Sequence, residues 1–212
     1  MGKVLEIKGI GKTINNNVIL KDVNLSLEFG NIYGLKGMNG SGKTVLLKII
    51  CGIMFPTEGE ILLDNKSYTK DKKFLESLGA LIEYPGFIKD ENGFNNLKYL
   101  ADINSKISDD SIKEAIKRVG LDYTDKRKVK KYSLGMKQRL GIAQAIMEDP
   151  EILILDEPTN GLDDSGLEII KDIILENKKE NKLVLVVSHD KEFLDLICDE
   201  IYFIKNGSIM NG

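Results

Sequence analysis

The spacing of apolar residues predicts β-strands in the first part of the chain and again near its end. Between residues 4 and 29, apolar and polar positions alternate largely with a period of two, and Asn15-Asn16-Asn17 marks a turn within that stretch. Two continuous apolar runs, 152–155 and 183–187, are typical of parallel strands that are buried on both faces. Shorter apolar segments predict further strands at 31–35, 59–64, 79–82 and 201–204.

Helical periodicity dominates the middle of the chain. From Asp90 to about Asp149, apolar residues recur every three or four positions in successive stretches. Asp109 or Asp110 is expected to cap one of these helices, and Gly120 to end it. Further helices are expected at 44–51 and about 165–179. Together the patterns predict an α/β fold into which a helical block is inserted.

Composition agrees with one globular domain, or with one domain and a small subdomain. The chain has 212 residues, of which 42% are hydrophobic and 30% charged, so it can bury a sizeable core. The same composition excludes a disordered chain, a collagen-like chain and a small domain held together by disulfides. With 30 Lys and Arg against 33 Asp and Glu, the net charge is −3, and no nucleic-acid partner is expected.

The cysteines and the apolar runs of the sequence indicate the cellular compartment of the protein. Cys51 and Cys198 both lie in apolar surroundings without metal-ligand spacing, which favours reduced core thiols in a cytoplasmic protein. The longest apolar stretch, 45–55, is interrupted by Lys48 and is too short to span a bilayer. Any link to a membrane is therefore expected to run through a partner.

A phosphate-binding loop is the clearest motif. Residues 37–44 fit the pattern G-x-x-x-x-G-K-[ST], after a short apolar strand and at the start of a helix. In such a loop, backbone N–H groups and the helix N-terminus face phosphate oxygens, Lys43 meets the β- and γ-phosphates, and Thr44 ligates Mg²⁺. A glycine-rich turn with a surface lysine is the alternative, and the strand–loop–helix setting disfavours it. The candidate nucleotide-binding residues are Asn39, Gly40, Ser41, Gly42, Lys43, Thr44 and Val45.

Two acids follow the apolar run at 152–155. If that run is a buried strand, Asp156 and Glu157 lie at the carboxyl edge of the sheet, where α/β proteins bind ligands. Asp156 would then hold Mg²⁺, and Glu157 would accept a proton from the attacking water. The alternative is a helix start with acids in its first turn.

His189 is the single histidine of the chain. It follows the strand predicted at 183–187, so it also falls at a strand's carboxyl end. A lone histidine is usually a surface residue or a hydrogen-bonded core residue, but this position favours a catalytic role. Glu157, His189 and Lys43 are the candidate catalytic residues.

These pieces, together with residues 132–140, resemble the ATP-binding subunit of an ABC (ATP-binding cassette) transporter. The segment Tyr132-Ser133-Leu134-Gly135-Met136-Lys137-Gln138-Arg139-Leu140 is similar to the family's signature motif, LSGGQ followed by a basic residue. Tyr132, Leu134 and Met136 depart from that motif, whereas Ser133 and Gly135 match it. Residues 160–163 occupy the family's D-loop position, and His189 occupies its switch-histidine position.

The resemblance spans Val4 to Met210 and implies a fold and an activity. The implied fold is a P-loop NTPase core with a mixed, mainly parallel sheet, N-terminal antiparallel strands and an inserted helical subdomain. The core would comprise 1–88 and 150–212, and the subdomain about 89–149, with 134–147 as its signature helix. The implied activity is ATP hydrolysis with Mg²⁺ by an ATP-dependent homodimer, in which Ser133 and Gly135 contact the γ-phosphate bound by the opposite subunit.

The same resemblance implies a partner and a location. The subunit would drive a separate membrane-spanning permease, and would be cytoplasmic and peripheral on the inner face of the cell membrane through that permease. An ABC-type ATPase with a non-transport role is the alternative, and the lack of long coiled-coil insertions or a second cassette in 212 residues disfavours it. An unrelated P-loop kinase or GTPase is disfavoured by residues 133–139 and by His189.

Two positions depart from the common family pattern. Glu83 stands where most members have the Q-loop glutamine, and in this it resembles the bacitracin-export and lantibiotic-immunity branch. A peptide antibiotic is therefore the expected cargo, and Glu83 is expected near the Mg²⁺ held by Thr44 and Asp156. Ile14 falls where an aromatic residue usually stacks on adenine, so an apolar contact with the base is expected there.

Overall fold

The computed structural model describes residues 2–69 and 75–210, and within these ranges the chain forms ten strands, six α-helices and one 3₁₀ turn. The strands are β1 Val4–Ile14, β2 Asn17–Glu28, β3 Ile32–Lys36, β4 Glu58–Leu63, β5 Lys66–Ser67, β6 Leu78–Leu81, β7 Ile152–Asp156, β8 Leu183–Val187, β9 Glu200–Lys205 and β10 Ser208–Met210. The helices are α1 Lys43–Ile50, α2 Gly93–Asn104, α3 Asp109–Arg118, α4 Leu134–Ile146, α5 Asp164–Lys179 and α6 Lys191–Ile197. The 3₁₀ turn spans Val129–Lys131.

The strands form a smaller and a larger sheet. The smaller sheet is antiparallel, with the order β2-β1-β4-β5. The larger sheet has the order β10-β9-β3-β8-β7-β6, and all its neighbours pair in parallel except the β9–β10 hairpin. This is the mixed, mainly parallel sheet with N-terminal antiparallel strands that the family resemblance implies, and the fold class is confirmed.

Two apolar cores lie on opposite faces of the larger sheet. Along β7 and β8, successive side chains point alternately to the two faces: Leu153 and Val184 into one core, Ile154 and Leu185 into the other. The first core contains the apolar faces of α2 to α6, and the second contains α1 and the smaller sheet. Burial on both faces explains why these strands are continuous apolar runs.

Local sequence signals set most helix ends. Asp163 caps α5 through its side chain, and Ser133 caps α4 in the same way. The expectation that Asp109 or Asp110 caps α3 is wrong, because the Ser108 side chain accepts the N–H of Ser111 and both acids lie inside the first turn. Gly120 follows the end of α3 with a φ of +70°, which is the left-handed conformation that favours glycine.

Helices α2, α3 and α4 all lie between residues 93 and 146, in the stretch predicted to be helical. The division into a core and a helical subdomain at residues 88 and 150 stays a prediction. Helix α6 has no counterpart in the sequence-based expectations, since it is short and begins only two residues after His189. In the part of the chain that the structure describes, no helix has both the length and the apolar character needed to cross a membrane.

Candidate functional site

Residues 37–42 form the turn that joins β3 to α1, and Lys43 and Thr44 begin the helix. The glycines of the turn are required by close approach as well as by backbone conformation. A Cβ on Gly37 would lie 2.3 Å from the carbonyl oxygen of Ile204, and a Cβ on Gly42 would lie 2.7 Å from Cδ2 of Leu20. Gly42 also has a φ of +107°, which side-chain-bearing residues rarely adopt. The loop is therefore held tightly against its surroundings, with little freedom to reshape.

Two side chains of this loop are polar and buried. Lys43 is 7% exposed, and its Nζ donates to the carbonyl oxygens of Gly37 at 2.7 Å and Met38 at 3.1 Å. Ser41 is also buried, and its Oγ has no hydrogen-bond partner among the described residues. A buried hydroxyl and a buried ammonium group beside a helix N-terminus form a suitable setting for phosphate oxygens.

Thr44 and Asp156 bring two oxygen ligands together. The Thr44 hydroxyl lies 3.4 Å from Oδ2 of Asp156, although 112 residues separate them along the chain. Burial and, after it, the negative charge of Glu157 raise the pKa of Asp156. A buried carboxylate is costly to ionise unless a cation lies beside it. Together with the Thr44 hydroxyl it fits Mg²⁺, because this ion binds few protein oxygens and completes its coordination shell with phosphates and water.

Glu157 is held at the end of β7 by contacts with the end of β8. Its backbone N–H donates to the carbonyl oxygen of Val187 at 2.7 Å, and its Oε2 accepts the backbone N–H of His189 at 3.2 Å. The imidazole Nε2 of His189 lies 3.2 Å from the other carboxylate oxygen, Oε1. Glu157 and His189 thus form one unit at the carboxyl edge of the sheet.

These groups surround a single cavity of about 400 Å³. Adjacent parallel strands β3, β7 and β8 end at the same edge, which brings their following residues together. From the loop, the cavity is lined by Asn39, Gly40, Gly42, Lys43, Thr44 and Val45. From the ends of β7 and β8 it is lined by Asp156, Glu157 and His189. The structure therefore assembles residues that are more than a hundred positions apart.

Ser133 and Gly135 lie outside this cavity. Ser133 is exposed, and its Oγ accepts the N–H of Met136 as the N-cap of α4. Gly135 is buried against the loop that follows β7, where a Cβ would come within 2.5 Å of the carbonyl oxygen of Gly161. Leu134, between them, is 46% exposed. The α4 N-terminus thus presents an open polar end without a phosphate-binding loop of its own chain beside it.

Glu83 lies next to the proposed metal ligands through its backbone. Its N–H donates to the Asp156 carboxylate, whereas its own carboxylate pairs with Nζ of Lys48 at 3.0 Å. Glu83 has a φ of +58° and a side chain that is 58% exposed. The Glu83 backbone thus contacts Asp156 while the Glu83 carboxylate pairs with Lys48, and a metal-ligand role for that side chain stays a prediction.

Ile14 does not line the cavity above the phosphate loop. It is the last residue of β1 and pairs with Asn17 across the hairpin turn. Ile19, on β2, is a residue of the cavity wall. Ile14 is therefore not at the cavity wall in this structure, and its contact with the base stays a prediction.

One residue of the signature-like segment contacts this site in a way that the sequence did not predict. Gln138, on α4, is 5% exposed, and its Nε2 donates to the carbonyl oxygen of Glu157 at 2.8 Å. The signal for it was present but weak: a glutamine on the apolar side of a helix requires a polar partner. Nothing in the local sequence identifies that partner.

Comparison with known proteins agrees with this geometry. The family model described as "ABC transporter" matches residues 20–160. One relative is the "Uncharacterized ABC transporter ATP-binding protein YybJ" of Bacillus subtilis (strain 168). It is 42% identical to this chain, and the match covers 97% of this chain and 94% of the relative. The "Lantibiotic transport ATP-binding protein SrtF" of Streptococcus pyogenes is 36% identical over 98% of this chain and 89% of its own. The "Bacitracin transport ATP-binding protein BcrA" of Enterococcus faecalis is 39% identical over 99% of this chain and 69% of its own length.

A solved structure has the same fold. It is described as the dimeric structure of MJ0796, a bacterial ABC transporter cassette, and it matches 98% of this chain and 97% of its own with a TM-score of 0.87 and 25% identity. The same cassette is known in a post-hydrolysis state bound to ADP and Pi. With a phosphate loop, two strand-end acids and a histidine around one cavity, the chain belongs to the ABC transporter family, as an ATP-binding subunit with ATPase activity.

Proposed function

We propose that this chain is the motor subunit of a peptide-antibiotic exporter. Two copies would enclose two ATP molecules and drive a separate membrane-spanning permease, which would hold them at the cytoplasmic face of the cell membrane. The observation that carries the proposal is the cavity in which Lys43, Thr44, Asp156, Glu157 and His189 converge.

Each loop residue has a role in binding ATP. The Ser41 hydroxyl and the backbone N–H groups of Asn39, Gly40 and Gly42 would donate to phosphate oxygens, and Lys43 would turn its Nζ from the loop carbonyls to the β- and γ-phosphates. Thr44 and Asp156 would hold Mg²⁺, which neutralises charge on the phosphates when it is bound.

Hydrolysis would depend on Glu157 and His189. Glu157 would accept a proton from the water that attacks the γ-phosphate, and its carboxylate is oriented by the backbone N–H of His189 at 3.2 Å. The His189 side chain is 53% exposed at the cavity, so its imidazole can donate to the γ-phosphate while it stays beside Glu157.

The site would be completed by a second copy. Ser133 and Gly135 are not among the residues around the cavity, yet the α4 N-terminus is a hydroxyl-bearing helix start that suits an anion. In a two-fold dimer this helix end would face the γ-phosphate bound by the other subunit, and each ATP would then bridge two chains. ATP is therefore expected to control dimerisation.

The cargo is proposed from relatives and from one residue. SrtF and BcrA are named for lantibiotic and bacitracin transport, and both are more than one-third identical to this chain. Glu83 in the Q-loop position supports the same branch. Export is tested by deleting the gene in its host and measuring growth inhibition by bacitracin and by a lantibiotic. Unchanged sensitivity to both would contradict a peptide-antibiotic cargo and leave the ATPase assignment intact.

The dimer is tested by a variant that binds ATP without hydrolysing it. Glu157→Gln removes the proton acceptor and keeps the size of the side chain, so ATP with Mg²⁺ is expected to trap dimers that light scattering detects. Only monomers at saturating ATP would overturn the dimer proposal.

Two N-cap serines supply a matched control for that experiment. In the Glu157→Gln background, Ser133→Ala and Ser108→Ala each remove a helix cap, at a cost of about 1 kcal/mol. Only Ser133→Ala is expected to weaken ATP-dependent dimerisation, because Ser108 caps α3 outside the site. Equal effects would mean that Ser133 acts through helix stability alone.

A further inference from the structure

One hydrogen bond joins the helix α4 to the backbone of Glu157. The side chain of Gln138 is almost fully buried, and its Nε2 donates to the Glu157 carbonyl oxygen at 2.8 Å. The same carbonyl accepts one other backbone N–H, from Asn160, at the longer distance of 3.3 Å. Gln138 therefore provides the shorter of two bonds that fix this peptide group.

The peptide group at Glu157 needs such a constraint. Glu157 has a φ of +49°, in the left-handed region that is uncommon for a residue with a side chain. At this φ the chain turns sharply out of β7, and the Glu157 side chain is directed back to the end of β8 beside His189. An unconstrained peptide here would relax toward a more common conformation and carry the carboxylate with it.

We propose that Gln138 is a positioning residue for Glu157: by holding the Glu157 carbonyl, it keeps the carboxylate aimed at the attacking water. The inference rests on the proposed function, in which Glu157 is the general base. It assigns Gln138 a part in the rate of hydrolysis and none in binding ATP, since Gln138 is not among the residues that line the cavity.

The position of Gln138 on α4 gives this bond a second consequence. Ser133 and Gly135, at the start of the same helix, are proposed to contact the nucleotide of the other subunit. A Cβ on Gly135 would lie 2.5 Å from the carbonyl oxygen of Gly161, so the helix start packs directly on the loop after Glu157. Engagement of one nucleotide by α4 would thus be transmitted through Gln138 to the general base that serves the other.

A pair of substitutions in one helix tests the role of Gln138. Gln138→Met keeps the length of the side chain and removes the donor, and Gln144→Met makes the same change at a half-buried position of α4 away from the cavity. Gln138→Met is expected to lower kcat about 10- to 100-fold with KM for ATP within about twofold of the parent. Gln144→Met is expected to leave both unchanged.

A coupled measurement separates positioning from a general loss of structure. In the Glu157→Gln background, Gln138→Met is expected to leave the residual turnover unchanged, because both substitutions act on one proton transfer. ATP-dependent dimers of the double variant are expected to form as in Glu157→Gln. An equal loss of turnover in both backgrounds, or a parallel rise in KM, would overturn the positioning role.

The two proposals fail in different ways. If Glu157→Gln retains full turnover, Glu157 is not the base, and the role of Gln138 falls with it. If Glu157→Gln is inactive and Gln138→Met turns over at the parent rate, only the inference on Gln138 is refuted.

Discussion

The Nζ of Lys48 lies 3.0 Å from Oε2 of Glu83, and this ion pair joins the helix after the phosphate loop to the segment after β6. Lys48 is in α1, one turn beyond Thr44. The Glu83 backbone meanwhile donates to the carboxylate of Asp156. One residue therefore contacts a proposed metal ligand through its main chain and a lysine through its side chain.

Glu83→Gln is expected to raise the Mg²⁺ concentration that gives half-maximal ATPase activity, while ATP binding and part of the hydrolysis remain. The loss of a negative charge near Thr44 and Asp156 weakens attraction for the ion, even where the carboxylate does not ligate it. Mg²⁺ titration of ATPase activity measures the effect, and transport in cells is expected to fall as well.

Lys48→Met tests the same pair from its other side. This change removes the cation that neutralises Glu83, so half-maximal activity should move to lower Mg²⁺. Because the pair is partly exposed, its loss should change the free energy of unfolding by no more than about 1 kcal/mol. An unchanged Mg²⁺ dependence in both variants would show that the ion pair has no influence on the metal.

Lys43→Ala is expected to weaken ATP binding about 10- to 100-fold, because a buried phosphate loses its charged hydrogen-bond donor. Calorimetry measures the affinity directly. Lys66→Ala, at an exposed lysine on β5, serves as the control and should bind ATP as the parent does. Unchanged affinity in Lys43→Ala would refute the assignment of residues 37–44 as the phosphate loop.

The strands and the phosphate loop could be predicted because their causes are local. Because β7 and β8 are buried on both faces, their sequences are continuously apolar. The tight turn that begins at residue 37 requires glycine, so it too can be recognised from the sequence. The meeting of Thr44 with Asp156 could be expected from a topological rule, since the parallel strands of one sheet all end at the same edge.

Contacts that depend on tertiary packing could not be predicted in the same way. The Gln138 bond to Glu157 spans two elements, and only the packing of α4 determines which backbone group the glutamine meets. The pairing of Lys48 with Glu83 is of the same kind, because many exposed lysines could have reached that carboxylate. The choice between Ile14 and Ile19 depends on the hairpin register, which includes several irregular steps.

Ile19→Ala is expected to raise KM for ATP about 3- to 10-fold, because apolar surface that would cover the base is lost from the cavity wall. Ile14→Ala, at the end of β1, tests the sequence-based position, and a rise in KM there would assign the base contact to Ile14. GTP should compete with ATP within about an order of magnitude, since an aliphatic contact cannot tell one purine from the other as a stacked aromatic can. A several-hundredfold preference for ATP would show that another residue reads the base.

Gly79→Ala is expected to lower the free energy of unfolding by about 1–3 kcal/mol. A Cβ at Gly79 would lie 1.8 Å from the carbonyl oxygen of Ala145, so α4 would have to move away from β6. Gly86→Ala is the matched control, because a Cβ there would meet nothing within 4 Å. Urea unfolding measures both, and equal stabilities would contradict the close packing of α4 on β6.

Asp156→Asn is expected to make the protein more stable than the parent at neutral pH without Mg²⁺. Burial and the charge of Glu157 raise the pKa of Asp156 in the folded state. Above the ordinary aspartate pKa of about 3.9, the unfolded chain therefore loses this proton first, and the free energy of unfolding falls as pH rises through the window up to the folded-state pKa. Asparagine has no proton to lose, so the advantage of the variant should grow across that window and vanish below it. Urea unfolding from about pH 3.5 to 7 in EDTA measures this, with the exposed Asp164→Asn as control. A variant that is less stable than the parent at every pH would show that the Asp156 charge is compensated within the fold, without the metal.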